Sequence, residues 1–232
     1  DGSKMSKRDK GAVIHEYPER GFLASAVVNF MALLGWSPKD DREVFSPKEL
    51  TERFSLETVN RSPSQFDWEK CTWLNQQHLL ALSPEDFAAA SLPFVERAGL
   101  PITDHYPQMA ASVQEKVQLL TEVPSALEFY LVDEVALDEQ ALAKVKGKPE
   151  TPALLEVLAS HFRALKNWSQ AKDAIGESAK DAGVKPGQLM FPLRVALSGS
   201  GAGPDLASIL SILGREKSLQ RLESFTRILS QP

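Results

Sequence analysis

Helix start signals and apolar residues at helical spacing recur along almost the whole chain, and this pattern constrains the fold more than any other feature. Between Arg20 and Leu34 the apolar residues lie three or four positions apart, and Gly35 follows as a C-cap. Residues 46–49 have the types of a capping box, which predicts a short helix through Phe54. Signals that favour strands are nearly absent, so we predict an all-α fold.

The same start and stop signals continue to the end of the sequence. Asp67 and Ser83 are N-cap residues in front of two further predicted helices. The later helices are predicted at 107–122, 124–132, 138–146, 152–166, 169–182, 186–197, 205–213 and 215–229. Turn-forming clusters separate them, and we expect sub-domain boundaries near residues 82 and 138.

The composition limits the classes of function. A chain of 232 residues is long enough for one large domain or two to three small ones. Its net charge of -5 and pI of about 5.5 mean that any contact with a polyanion must be local. A single cysteine, Cys71, excludes an internal disulfide and fits a reducing compartment. The apolar runs are too short for a membrane span, so no membrane association is expected.

Most of the chemistry-bearing residues favour structural roles. The four histidines are far apart in sequence, so we predict no metal site within this chain. The glycine-rich residues 198–201 are interpreted as a turn between helices rather than as a phosphate cradle. Cys71 and the four tryptophans lie at helical apolar positions, which favours packing in a core over stacking on bases. No acid–base pair can be named.

Residues 1–11 carry lysines, an arginine and glycines before any apolar periodicity begins. Such a stretch is typical of a solvated chain terminus, but also of a loop that binds phosphate. If Lys4, Lys7 and Arg8 act on a triphosphate, these cations stabilise the charge that builds on the phosphate oxygens as pyrophosphate leaves. The residue types alone leave both interpretations open.

A series of motifs selects between them. Lys4-Met5-Ser6-Lys7-Arg8 matches the KMSKS-type signature of class I aminoacyl-tRNA synthetases. Other motifs follow in the order seen in bacterial glutamyl-tRNA synthetases: Gly21-Phe22-Leu23, Asn29-Phe30, Leu33-Leu34-Gly35-Trp36-Ser37, Phe66-Asp67, Trp73-Leu74-Asn75, Pro192-Leu193-Arg194-Val195-Ala196-Leu197-Ser198-Gly199, Leu213-Gly214-Arg215-Glu216 and Arg221-Leu222. From the signature to its end, the chain resembles this family.

The resemblance implies an organisation of the chain. Residues 1–81 would hold the signature loop and a stem-contact region, and residues 82–137 and 138–232 the two helical anticodon-binding domains. The Rossmann-type catalytic domain of the family is missing, so we expect this sequence to be a fragment that recognises tRNA and does not catalyse alone.

The resemblance also implies the chemistry of the longer enzyme. It would form glutamyl-adenylate from ATP and glutamate, with Mg²⁺, and transfer the glutamate to tRNA-Glu. In the family, the second lysine of the signature, here Lys7, binds ATP and stabilises the transition state, and Lys4 supports it. Met5, Ser6 and Arg8 complete the ATP-binding signature.

For the anticodon, the resemblance points to Lys116 and Arg194. The family uses arginine near the position of Lys116 when it rejects the glutamine anticodon. Lysine keeps the charge but loses the planar fork that pairs with a base edge, which leaves tRNA-Gln as a second possible partner. A solvated helix cation is the alternative for Lys116. For Arg194, Arg215 and Arg221, phosphate contacts and capping of helix ends are both open.

We therefore expect the tRNA-binding part of a monomeric, cytoplasmic glutamate–tRNA ligase. The alternative is a stand-alone helical module, derived from a synthetase, that binds RNA or protein.

Overall fold

The computed structural model describes residues 13–60 and 64–231, which form two compact units. Unit 1 contains the described residues up to Ile102 together with Val117–Pro124. Unit 2 contains Thr103–Lys116 and the chain from Ser125 onward. In these described ranges the only strand-like pairing is an isolated antiparallel bridge between Trp36 and Val59. The predicted all-α fold is confirmed.

Helices account for nearly all of the regular structure. Unit 1 holds α1 (Glu16–Glu19), α2 (Ala24–Gly35), α3 (Pro47–Arg53), α4 (Trp68–Leu80) and α5 (Pro84–Arg97). Helix α7 (Val123–Leu131) begins in unit 1 and continues in unit 2. Unit 2 also holds α6 (Tyr106–Val113), α8 (Glu139–Lys146), α9 (Thr151–Ala164), α10 (Ala171–Asp181), α11 (Gly187–Ser198) and α12 (Leu206–Ser230).

The start signals read from the sequence are confirmed by their hydrogen bonds. The N–H of Glu49 donates to the Ser46 hydroxyl at 3.2 Å, and the N–H of Ser46 donates to the Glu49 carboxylate at 2.8 Å. At the N-terminus of α4, the N–H of Lys70 donates to the carboxylate of Asp67 at 3.1 Å. Side-chain acceptors therefore satisfy helix-end N–H groups that would otherwise have no partner within the helix.

The first predicted helix differs from the observed α2 at both ends. The observed helix begins at Ala24, whereas the predicted one begins at Arg20. The difference arises because Gly21 has φ of 87° and turns the chain before α2. A Cβ at position 21 would lie 2.6 Å from the backbone nitrogens of Leu120 and Thr121, so only glycine fits. At the other end Gly35 is the last residue of α2, and the extended Trp36 is its cap.

The predicted helix over 107–122 is wrong beyond its second turn. Helix α6 ends at Val113, and 3₁₀ turns follow at Gln114–Lys116 and Leu120–Glu122. The carboxylate of Glu122 accepts the N–H of Gln118 at 2.8 Å, and the Gln118 carbonyl accepts from the Asn75 side chain at 2.6 Å. These bonds satisfy backbone groups outside a helix, which removes the advantage of continuing it.

The core of unit 1 is aromatic. Tyr17, Phe22 and Phe30 are buried, and the half-buried Trp68 packs against their cluster. Burial of Trp36 and Cys71 confirms their predicted structural roles. The same prediction is wrong for Trp73, whose surface is 38% exposed although it lies on α4.

Buried polar side chains tie the helices of unit 1 together. The Asn75 side chain accepts the Leu23 N–H at 2.8 Å, which anchors the start of α2. The Asn29 side-chain oxygen accepts the Phe45 N–H at 2.8 Å and also lies 3.0 Å from Nε2 of His78. Because that oxygen can only accept, Nε2 of His78 carries the proton, and Nδ1, 3.0 Å from the Ser25 hydroxyl, accepts from it.

This arrangement predicts that acid destabilises unit 1 through His78. Burial lowers the pKa of His78 below its ordinary value, so below about pH 6.5 the unfolded chain takes up a proton before the folded chain does. The contribution of His78 to stability is therefore complete above that pH and decreases as the pH falls toward the lowered pKa. Urea unfolding, followed by the fluorescence of the unit 1 tryptophans, should show this loss between about pH 7.5 and about pH 5.5.

Two variants test the assignment to His78. His78→Gln should reduce the acid-dependent loss, whereas His15→Gln, at an exposed position of the same unit, should leave it unchanged. An unaltered pH dependence in His78→Gln would remove this histidine from the explanation.

Unit 2 is a helical bundle around buried aliphatic and aromatic side chains. Leu155, Leu158 and Phe162 of α9 are buried, as are Leu193 of α11 and Leu222 of α12. The ring of Trp168 packs edge-on against Phe162 with centroids 5.1 Å apart, and its Nε1–H donates to the Leu210 carbonyl at 2.7 Å. Packing of Trp168 was predicted and is confirmed.

The helix α12 consists of two segments. Gly214 has φ of 70° and ψ of 178°, which breaks the helical backbone between them. The two separate helices predicted at 205–213 and 215–229 are therefore confirmed. The break lets the first segment take its own direction at the surface where the candidate site lies.

Candidate nucleic-acid interface

The residues of the signature lie outside the described part of the chain. Lys4, Met5, Ser6, Lys7 and Arg8 precede residue 13, where the described structure begins. Their assignment to ATP binding and catalysis stays a prediction.

A first groove in unit 2 includes one of the two predicted anticodon residues. It has a volume of about 670 Å³ and lies between α6, the turn after it and the start of α12. Lys116 lines this groove from the 3₁₀ turn, with Gln108, Ser112 and Ser208. Its side chain is exposed and has no hydrogen bond or ion pair to any residue in the described part of the chain. The ammonium is therefore available to a ligand.

A second groove, of about 640 Å³, includes the other predicted residue. Arg194 of α11 lines it, together with Lys172 and Lys180 of α10. The guanidinium of Arg194 is half-buried and donates through Nη1 to the Pro204 carbonyl. Part of the lining is apolar and includes Met190, which is 42% exposed. Asp173, Glu177 and Asp205 line it as well, so its three cations lie beside an equal number of carboxylates. The cations can contact phosphates, and the apolar part can contact the bases of a nucleic acid.

The two grooves meet at the start of α12. Asp205 and Ala207 line both of them, so the structure brings Lys116 and Arg194 to adjoining surfaces. The Asp205 carboxylate caps the helix by accepting the N–H groups of Ala207 at 2.9 Å and Ser208 at 3.1 Å. Partial burial acts to raise the pKa of Asp205, but these bonds and the Ser208 hydroxyl outweigh it and lower the pKa. Asp205 is thus a fixed negative charge at neutral pH.

Arg215 and Arg221 hold helix ends through hydrogen bonds to backbone carbonyls. Arg221, only 4% exposed, donates to the carbonyls of Phe129, Val132 and Leu197, which lie at the C-terminal ends of α7 and α11. Burial lowers the pKa of Arg221 to about 10, so it remains charged at neutral pH.

Arg215 acts in the same way on α9. Its guanidinium donates to the carbonyls of Phe162, Arg163 and Leu165, at the C-terminal end of that helix. Of the two open roles for Arg215 and Arg221, the structure therefore selects capping of helix ends. The contact of Arg194 with Pro204 leaves its role toward a ligand untested.

Two contributors to this surface were missed in the sequence analysis. Lys172 and Lys180 of α10 line the second groove, but Asp173 and Glu177 of the same helix line it too, so no basic stretch in the sequence indicated the two lysines. A long-range contact of Gly199 was missed as well. Gly199 was predicted as part of a turn, and in the structure it caps α11 with φ of 77°. Its backbone carbonyl accepts the Asp138 N–H at 2.8 Å, a contact that no local pattern indicates.

Other classes of site were also considered in the residues that the structure describes. Over 13–60 and 64–231, no three His, Cys, Asp or Glu side chains lie close enough to hold a metal ion. None of the helices described combines the length and the apolar run needed to cross a membrane.

Both grooves lie within a stretch of the chain that matches a known family. Residues 86–226 match the family model described as an anticodon binding domain, and this range includes Lys116 and Arg194. Residues 1–73 match the catalytic-domain model of class I tRNA synthetases of the E and Q type. The fold and these matches define the class: a helical anticodon-binding domain that follows part of a class I tRNA synthetase catalytic domain.

Individual relatives define the family further. The glutamate–tRNA ligase of Akkermansia muciniphila is 50% identical over 229 residues, which cover 97% of this chain and 52% of that protein. The glutamate–tRNA ligase of Elusimicrobium minutum is 37% identical over 96% of this chain and 46% of its own. The crystal structure of a glutamate tRNA ligase from Elizabethkingia meningosepticum, in complex with its amino acid, has a TM-score of 0.81 at 28% identity, covering 92% of this chain and 43% of that one.

The chain therefore belongs to the glutamate–tRNA ligase family, as its motifs predicted. It spans about half the length of the curated relatives that it matches, and only a small part of the catalytic domain. Because glutamate–tRNA ligases match nearly the whole chain, this assignment is favoured over a stand-alone helical module.

Proposed function

We propose that this chain is the tRNA-binding part of an ATP-dependent glutamate–tRNA ligase. The complete enzyme forms glutamyl-adenylate from ATP and glutamate and then transfers the glutamate to tRNA-Glu. The observation that carries the proposal is the pair of adjoining grooves, each lined by a cation, within the span that matches an anticodon binding domain. Net acidity does not oppose it, because counterion release depends on the local contacts with phosphate.

In the complete enzyme, the residues of the signature act in the formation of glutamyl-adenylate. Lys7 binds the triphosphate and stabilises the negative charge that develops on its oxygens as pyrophosphate leaves, and Lys4 assists it. Met5, Ser6 and Arg8 complete the ATP site. Mg²⁺ would accompany ATP in the complete enzyme and add charge neutralisation there, and over residues 13–60 and 64–231 no cluster of His, Cys, Asp or Glu could hold it.

Recognition of the anticodon belongs to the two grooves. The free ammonium of Lys116 donates to an acceptor on a base edge in the first groove, and Arg194 contributes from the second. A lysine donates to one atom at a time, whereas an arginine pairs with two in a fixed plane. We therefore propose that the enzyme charges tRNA-Glu and discriminates only weakly against tRNA-Gln.

The region limits predicted from the sequence form part of the proposal. Residues 1–81 carry the signature and stem-contact region, and residues 82–137 and 138–232 the two anticodon-binding parts. Support comes from the N-caps Ser83 and Asp138, each of which begins a helix at such a limit. We propose a monomer that works in the cytoplasm, a reducing compartment that a single buried thiol suits.

Titration with tRNA-Glu transcripts tests the role of Lys116. In the 232-residue chain, Lys116→Ala should weaken binding of the wild-type anticodon roughly 5- to 100-fold, the range for losing a contact to a base edge. Binding of a transcript with an altered anticodon should change much less. The matched control is Lys148→Ala, which removes another exposed lysine that lies outside both grooves.

Lys116→Arg completes the test in the opposite direction. The planar fork should increase the preference for the glutamate over the glutamine anticodon by several-fold. Equal affinity of the wild-type chain for all anticodons, or an equal loss in Lys116→Ala and Lys148→Ala, would contradict the assignment.

A further inference from the structure

Unit 1 has an apolar face that no described residue covers. We define this face by Val28 and Met31 of α2, Phe54 after α3, and Val59. Their exposed fractions are 54%, 39%, 42% and 37%. The four side chains line one shallow groove of about 510 Å³. Contiguous exposed apolar surface can mark the site where another polypeptide packs.

The face is rigidly built. Val28 and Met31 are three residues apart on α2, on the side away from Val27 and Phe30, which enter the core of unit 1. The bridge between Trp36 and Val59, and the Asn60 N–H that donates to the Gly35 carbonyl at 2.6 Å, hold Val59 against the end of α2. The arrangement is thus preformed, and a partner would find its shape already set.

The chemistry of the groove argues against RNA as its occupant. Its lining contains no Lys or Arg among the described residues, and Thr51 is its polar side chain. Most protein contacts to nucleic acid go to phosphate and sugar and depend on cations and polar donors. An apolar polypeptide surface fits this groove better.

The position of the face in the chain identifies the polypeptide. All four residues lie within residues 1–73, the stretch that matches the class I catalytic domain. The relatives are about twice as long as this chain, so most of their catalytic domain has no counterpart here. A domain encloses one hydrophobic core, and a part of it taken alone exposes the surface on which the rest packs.

We propose that the apolar face is the surface on which the remainder of the class I catalytic domain packs. This inference rests on the proposed function, since it requires that the chain acts within a complete ligase. It assigns to Val28, Met31, Phe54 and Val59 the task of fixing unit 1 to the catalytic domain, next in sequence to the signature that carries Lys7.

Peroxide oxidation of the complete wild-type ligase tests the inference without any substitution. Peroxide converts an accessible methionine thioether to the sulfoxide, and peptide mass spectrometry reports each site. Met190 in unit 2 is the internal control, because it is 42% exposed and Met31 is 39% exposed. We expect Met31 to react at least about ten-fold more slowly than Met190 in the absence of tRNA, because the catalytic domain covers it. Equal rates would overturn the inference.

Cysteine labelling gives an independent second measurement. In the complete ligase, Val28→Cys should react with a maleimide much more slowly than Glu52→Cys, at an exposed position of α3 that does not line the groove. Protection that appears only when tRNA is added would show RNA on the face. Protection that grows with enzyme concentration would show a second copy. Either result would overturn the inference.

Aminoacylation of tRNA-Glu by the same samples distinguishes failure of the proposed packing surface from failure of the proposed function. Rapid modification of Met31 or of Val28→Cys in an enzyme that charges tRNA-Glu refutes only the packing surface. A wild-type ligase that does not charge tRNA-Glu refutes the proposed function itself.

Discussion

Gly199→Ala is expected to lower the free energy of unfolding of unit 2 by roughly 3 kcal/mol or more, because strain and overpacking act together. The backbone of Gly199 has φ of 77°, and a Cβ there would overlap the carbonyl oxygen of Ala136. That carbonyl is part of the backbone, so no side-chain rotation relieves the overlap. The hydrogen bond from the Asp138 N–H to the Gly199 carbonyl would be disturbed as well. Urea unfolding followed by circular dichroism measures the loss.

Gly176→Ala is the matched control for this prediction. Gly176 lies within α10, and no heavy atom of the described residues lies within 4 Å of a Cβ there. Alanine should stabilise that helix by up to about 1 kcal/mol. If Gly199→Ala unfolds at the same urea concentration as the wild type, the close approach to Ala136 does not exist in the molecule.

The destabilisation caused by Gly199→Ala should also disturb the groove that Arg194 lines. Gly199 caps α11, and Arg194 lies on that helix five residues earlier. Arg221 holds the same helix end through the Leu197 carbonyl. The structural residues of this motif therefore position the helix that carries the proposed anticodon residue.

The second large effect is expected at Lys7. In the complete enzyme, Lys7→Ala should reduce glutamyl-adenylate formation about 100- to 1,000-fold, as expected when a group that stabilises developing charge is removed. Affinity for tRNA should stay close to that of the wild type, because the proposed anticodon contacts lie in unit 2. Adenylate formation is measured by ATP–pyrophosphate exchange in the presence of tRNA-Glu.

Lys10→Ala provides the comparison, since it removes a lysine of the same stretch outside the signature. It should leave the exchange rate within a few-fold of the wild type. A similarly small change in Lys7→Ala would exclude Lys7 from the mechanism, whereas a large and equal loss in both variants would indicate a general effect of charge.

Local sequence signals predicted the elements of the fold well where local chemistry decides them. The capping residues Ser46, Asp67 and Ser83 each begin a helix, because their side chains satisfy N–H groups within the same few residues. Gly214 separates the two segments of α12 because its backbone takes a conformation that favours glycine. All the residues that such a signal requires lie within a few positions of one another in the sequence.

Signals failed where a distant residue decides the outcome. The helical pattern at 107–122 is interrupted because Asn75, more than forty residues away, binds the Gln118 carbonyl. Trp73 has the spacing of a core residue but lies at the surface, because the core side of α4 is taken by Cys71 and Leu74. In both cases a tertiary contact outweighs the local preference.

By itself the sequence determined the all-α class and the family, and it predicted which residues would handle ATP and the anticodon. The tertiary structure decided how the cations are used. Arg215 and Arg221 bind helix-end carbonyls, Lys116 has no side-chain partner among the described residues, and Arg194 lines the groove next to it. These roles depend on which helix ends and grooves come together, and contacts between residues far apart in the chain set that arrangement once the helices pack.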